Sequence, residues 1–223
     1  MKVSRIQEAE NHERILEVAT RLFRERGIDG IGLADLMKAA GLTHGGFYGH
    51  FKSKEDLVAQ ACARAVLRMR QNWTNVIDQA TGDPIEALAA TYLTPKHRDA
   101  TGRGCPMAAI GSEIARQGPQ VRRAFTDELR PFLDYLSRSL HGNSNSLRRQ
   151  KALATYASLV GALIVSRAVD DPDLSNEILA AVAAAMHTKE VDRTQSRSSS
   201  AARSRTRISK RSTTTHRSRS RKS

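Results

Sequence analysis

The chain has 223 residues, 36 Lys and Arg against 23 Asp and Glu, a formal net charge of +13 and two cysteines. That length allows one or two domains with a sizeable core. Two widely separated cysteines argue for a reducing compartment and against a disulfide scaffold, and the sequence shows neither a signal-peptide pattern nor an apolar run long enough to cross a membrane. The excess charge is local. Residues 193–223 hold eleven Lys and Arg and no Asp or Glu, which leaves 25 basic and 23 acidic residues before them, a net of +2.

Residues 1–9 are polar, with Lys2 and Arg5, and read as an arm, either a frayed terminus or a segment reaching a phosphate or minor groove. Ile15, Val18, Ala19, Leu22 and Phe23 then mark one face of a first helix. Gly27 stops it, and Ile28 falls where a Schellman ending would pack it on Phe23. Leu33, Leu36, Met37 and Ala40 recur at helical spacing, so a short second helix is expected between Gly32 as N-cap and Gly41 as stop. Thr43 is expected to cap a third helix, with Leu42 and Phe47 paired as a hydrophobic staple and Phe51 on the same apolar face. Ser53 and Asp56 form a capping-box pattern for the next helix.

Two short helices joined by a glycine-containing turn make a helix-turn-helix, whose second helix enters the DNA major groove. Here that helix carries Gly45, Gly46 and Gly49, each costing roughly 1 kcal/mol relative to alanine. Glycines on an exposed helix face make sense where another surface comes close. Between Thr43 and Lys54 there is no acidic residue, while His44, His50, Lys52 and Lys54 are potential cations. The competing reading of the same pattern is a small helical bundle with a solvated basic face.

From Leu57 to Val76 the apolar stripe includes Ala61, Cys62, Ala65, Met69 and Trp73, which predicts a long helix ending before Gly82-Asp83-Pro84. Cys62 and Trp73 read as core residues. Pro84 opens a short helix to about Tyr92, and the stretch from Thr94 to Gly104, with Pro95, Gly102 and Gly104, reads as a loop. Pro106 suits the first position of a helix, which makes Cys105 its N-cap. Gly118-Pro119 starts a further helix carrying Val121, Phe125, Phe132 and Leu136, with a kink expected at Pro131. Helices from about Leu147 to Val169 and Leu174 to His187 are too apolar for full exposure, so they close the core or pair with a second copy. Residues from Arg193 onward are rich in Ser, Arg and Thr, and such a composition predicts a disordered basic tail able to hold nucleic acid without sequence preference.

The run AGLTHGGFYGHFKSKEDL resembles the recognition segment of the tetracycline-repressor (TetR) family of bacterial transcription regulators. The matching positions are Gly41, Thr43, Gly45, Phe47, Tyr48, Phe51, Ser53-Lys54-Glu55 and Leu57, and RILEVATRLFRERGIDGIGLADLMKAAG resembles the family's first two helices. Gly32 stands where threonine or serine is usual, and Gly46 where threonine is common, which removes a side chain that could touch DNA. The last two long helices resemble the family's four-helix dimer interface. The GCP segment and VGALIVSRAVDDPDLSNEIL look like a subset of regulators that answer to reactive or aromatic compounds.

The resemblance implies an all-α homodimer with a three-helix DNA-binding domain over residues 10–56 and a helical effector and dimerisation domain over 57–190, followed by the tail at 191–223. It implies a cytoplasmic regulator of double-stranded DNA, a repressor released from a palindromic operator by a small-molecule or electrophilic effector, with no cofactor and no metal. Thr43, Tyr48 and Lys54 would contact phosphates, His44 and Gly45 base edges, and His50 belongs to the same positive rim. Cys105, at a helix N-terminus near Arg103, is a candidate sensor whose thiolate the helix dipole and that cation would favour. An enzyme is not expected: no nucleotide-binding glycine loop, metal-type Cys/His spacing or nucleophile elbow is present. The alternative is an architectural or nonspecific nucleic-acid binder driven by the tail.

Overall fold

The computed structural model describes residues 5–187. The first part of the expected arm, residues 1–4, and the expected tail at 191–223 lie outside them. One compact unit covers Met1–Ala183; of the second, Ala184–Ser223, only the last residues of one helix, 184–187, are described.

Every regular element among the described residues is helical. In chain order they are α1 (Arg5–Arg26), α2 (Leu33–Ala39), a 3₁₀ turn (His44–Gly49), α3 (Lys54–Gln79), α4 (Pro84–Tyr92) and α5 (Pro95–Asp99). A short 3₁₀ turn (Thr101–Arg103) leads to α6 (Pro106–Ile114), α7 (Pro119–Ser139), α8 (Asn145–Ala168) and α9 (Pro172–His187). The long α3 is the spine: α1 packs on it from the N-terminal side, and α4, α6 and α7 pack along it from the other.

The local chemistry of the helix ends explains most boundaries. Gly41 takes φ +71°, and Leu42 N–H and Gly41 N–H bond back to the carbonyls of Met37 and Lys38, the two bonds of a Schellman ending. Gly27 takes φ +81° and its N–H bonds to Phe23 O, but the expected Schellman ending does not follow. Ile28 N–H donates instead to the Glu113 carboxylate at 2.6 Å, a bond from the end of α1 to α6. Ser53 caps α3 by accepting from Asp56 N–H, and the Asp56 carboxylate accepts from Lys52 N–H, one residue upstream of a regular capping box. Asp83 caps α4 through the N–H groups of Ile85 and Glu86.

Three expectations need correction. Residues 5–9, assigned to an arm, are the opening turns of α1. The segment after Thr94 is not a loop: Thr94 caps α5 by accepting from His97 N–H, and Pro95 supplies the first position. The segment after Thr43 is a 3₁₀ turn instead of an α-helix, and the Thr43 hydroxyl does not cap it. Three glycines in six residues explain the tighter, shorter form, because little in the segment favours a second α-helical turn. α7 stays helical through Pro131, which sits on its exposed side.

Two aromatic clusters build the core. In the N-terminal part Phe47 and Phe51 are fully buried and stack at 5.6 Å, and His12 of α1 stacks on Phe51 at 4.5 Å. Further along α3, Trp73 meets Tyr92, Phe132 and Tyr156 edge-on at 5.0, 5.2 and 5.9 Å. These contacts tie α3 to α4, α7 and α8. Phe47→Ala should destabilise the fold by about 3–5 kcal/mol, the cost of a large aromatic removed from a closed core. Chemical denaturation monitored at Trp73 checks this, and a loss below about 1 kcal/mol would show that Phe47 does not anchor the turn.

Candidate functional site

The first candidate surface is the turn from Thr43 to His50. Buried Phe47 fixes it from below, and Gly46 N–H and His50 N–H bond to the carbonyls of Thr43 and Phe47. Its outer side brings together Thr43, His44, Gly45 and Tyr48, all exposed, with Tyr48 at 68%. A Cβ added at Gly45 or Gly49 would meet nothing within 4 Å. The packing of this chain therefore does not require glycine at either position. What their bareness provides is a flat surface, over which a second molecule can approach the backbone closely.

His50 and Lys54 sit differently. His50 is half-buried at the end of the turn, 6.3 Å from the ring of His12. The Lys54 ammonium turns back to the loop between α1 and α2, donating to Ile31 O at 3.3 Å with Asp29 at 3.8 Å. The four outer residues form one patch, and Lys54 is anchored beside it.

The second candidate is a cavity of about 910 Å³ between α1, α3, α4 and the segment from Thr94 to Cys105. Its apolar wall includes Met69, Trp73, Leu88 and Tyr92, all buried. Cys105 is the N-cap of α6, as expected, and lines the cavity. Its expected activation needs correction. Burial pushes the thiol up, against the opposing influence of the nearby Tyr92 hydroxyl, the Ala108 and Met107 backbone and the charge of Arg167. The cation that acts on it is Arg167 of α8. Cys62 is buried in the α3 stripe and is pushed up to about 12 by the same desolvation.

His97 organises this end of the cavity. Its Nδ1 lies 2.7 Å from Tyr92 O and its Nε2 lies 3.2 Å from Cys105 N. A carbonyl only accepts and an amide N–H only donates, so the ring is neutral with its proton on Nδ1. Burial lowers its pKa, opposed by the Tyr92 carbonyl bond and reinforced by Arg167. Arg167 in turn donates to the carbonyls of Arg98 and His97 at 2.8 and 3.1 Å. Sequence reading missed this cluster and the cavity's basic residues, because they come from elements scattered along the chain, from α1 to α8, and no local pattern joins them.

Fold and surface together define a helical DNA-binding regulator with a helix-turn-helix near its N-terminus. The family model for bacterial regulatory proteins of the TetR family matches residues 15–61. The chain is 27% identical over 165 residues to the HTH-type transcriptional repressor NemR of Escherichia coli K12, covering 70% of this chain and 83% of that one. It is 36% identical over 79 residues to the HTH-type transcriptional regulator AcrR of Shigella flexneri, 35% of this chain and 37% of that one. The crystal structure of reduced E. coli NemR superposes with a TM-score of 0.66 at 23% identity, covering 79% of this chain and 95% of that one. Residues 15–61 therefore match the TetR-family DNA-binding region, and over its length the chain is similar to regulators of that kind.

Because burial favours the thiol form, Cys105 should be alkylated by iodoacetamide more slowly than a free model thiol at pH 7, with a rate that climbs with pH. Mass spectrometry of quenched samples resolves Cys105 from Cys62. A Cys105 rate above the model thiol would show that a more open arrangement, with a favoured thiolate, dominates the reaction.

Proposed function

We propose that this DNA-binding transcriptional regulator is a repressor that reads a palindromic operator as a homodimer and is released by a small molecule. The observation that carries the reading is the patch of Thr43, His44, Gly45 and Tyr48, held rigidly by Phe47 yet open to an approaching surface. In this reading Thr43 and Tyr48 hold phosphates, as does Lys54 once its ammonium leaves the Ile31 carbonyl. His44 reads a base edge, Gly45 lets the backbone approach, and His50 adds to the positive rim. Cytoplasmic location fits such a role, and no described helix is long and apolar enough to cross a membrane.

The dimer reading rests on α8. Leu153, Ala154, Ala157, Ile164, Val165 and Ala168 are exposed at three- and four-residue spacing, an apolar stripe on a helix whose other face is already in the core. Exposed Leu174 of α9 extends the apolar surface. A stripe of this kind buries itself against a second copy through small-residue packing around Gly161, where an added Cβ would meet nothing. Two reading heads would then engage half-sites about 34–36 Å apart. A ligand that favours another spacing lowers operator affinity by its differential affinity for the two states.

Sequencing the genomic fragments that the purified protein retains tests the reading: one palindromic motif should dominate. Tyr48→Ala should then weaken operator and random DNA alike by about 1 kcal/mol or more. His44→Ala should relax preference at one base position. Titration of both variants against the operator and its single-base changes decides this, and unchanged affinity and selectivity would remove the turn from the groove. Separately, Val165→Glu should shift the protein towards monomer in analytical ultracentrifugation and weaken operator binding at least tenfold. A Val165→Glu dimer as tight as the parent would place the contact elsewhere.

A further inference from the structure

The cavity between α1 and α3 has an uneven charge balance. Five Arg or Lys side chains line it and only one acid, Glu17, does so. Glu17 is already engaged by Arg68, and Arg21 is engaged by Glu25 at 2.9 Å. Three cations are left: Arg24, Lys96 and Arg103. None has a carboxylate partner among the described residues.

Arg24 is the most constrained of the three. Its guanidinium donates to Thr20 O at 2.9 Å and Gly104 O at 3.0 Å, so neutral carbonyls satisfy two N–H groups, while Glu17 and Glu25 favour its charge only from a distance. Burial, then repulsion from Arg68, works against that charge. Lys96 and Arg103 stand exposed on the segment that forms the opposite wall. Below this ring the surface changes character: Met69, Trp73 and Leu88 present a buried apolar floor with an indole edge. A volume of about 910 Å³ is in the range of pockets that enclose a drug-sized molecule.

We propose that the ligand of this cavity is an amphipathic organic carboxylate, its apolar body on the Trp73 floor and its carboxylate among Arg24, Lys96 and Arg103. This rests on the reading of the protein as a ligand-released regulator and adds the chemical class of the ligand. A neutral body of the same shape gains the floor but leaves the three cations without an ion-pair partner. A carboxylate gains the floor and supplies the missing counter-charge, and Arg provides two parallel donors for its two oxygens. A cationic ligand meets the same three charges and is rejected.

The test uses matched pairs: 4-phenylbutanoate with 4-phenylbutanamide, and decanoate with decanamide. Trp73 is the chain's single tryptophan and lies in the cavity wall, so its fluorescence reports occupancy directly, with calorimetry as a second readout. At least one acid should bind saturably and about tenfold tighter than its amide. The double variant Lys96→Gln, Arg103→Gln should bring that ratio to within about twofold, with the thermal midpoint checked to show that the fold is kept. Equal affinities within both pairs, no saturable signal from either acid, or a ratio that survives the double substitution would overturn the proposal. Operator release is measured apart. An acid that fills the cavity without releasing DNA defeats the effector reading and leaves the ligand class standing. Release by a neutral compound while the acids fail to bind does the reverse.

Discussion

The structure depends on how a six-residue segment with almost no helical preference of its own is held in one shape. His44–Gly49 contains three glycines, and each weakens a helix by roughly 1 kcal/mol. Burying Phe47 and the adjoining Phe51 returns about 1.5–3 kcal/mol each, which is enough to offset that cost but leaves little surplus for a longer helix. The ends of the segment are fixed independently. The Schellman bonds at Gly41 set the entry, and the Ser53 cap on α3 sets the exit. The consequence is a rigid turn whose outer surface is mostly backbone and two side chains. A surface that bare is poor packing material within a monomer, and it suits contact with a smooth, highly charged partner.

What the sequence made legible follows from the range over which each feature is determined. Helix stops at Gly27 and Gly41, the cap at Ser53 and the helix start at Pro84 are fixed by neighbours within a few residues, and the structure has them where the residue pattern predicts. The same is true of the Thr43–Tyr48 patch, where local spacing alone sets buried Phe47 against exposed Tyr48. α5 was obscured for a different reason: Thr94 and Pro95 carry a helix-start signal, but Gly102 and Gly104 just beyond it made the whole stretch resemble a loop. Cys105 was misjudged because its neighbours were read from the chain. Arg103 is close in sequence, yet Tyr92 and Arg167, from α4 and α8, set its environment. The cavity was not visible at all, since its charge balance exists only once α1 lies against the Thr94–Cys105 segment.

That adjacency also decides what a ligand can do to the reading turn. α1 carries Glu17, Arg21 and Arg24 on the cavity wall and packs on α2 near its far half, while α6 starts at Cys105 in the same cavity. Two long-range bonds close the circuit: Arg24 to Gly104 O, and the Glu113 carboxylate to Ile28 N–H at the end of α1. Each is a hydrogen bond to a charged group, worth about 1.5–3 kcal/mol. A ligand that wedges α1 from the Gly104 segment competes with the first, and any shift of α6 stretches the second. Inverting a two-state balance from 1:99 to 99:1 takes about 5.5 kcal/mol of differential affinity. Two such bonds together are worth about 3–6 kcal/mol, the same scale. Under the reading of a ligand-released regulator, this is the scale of differential affinity that a small molecule must supply to exchange one arrangement of the junction for another.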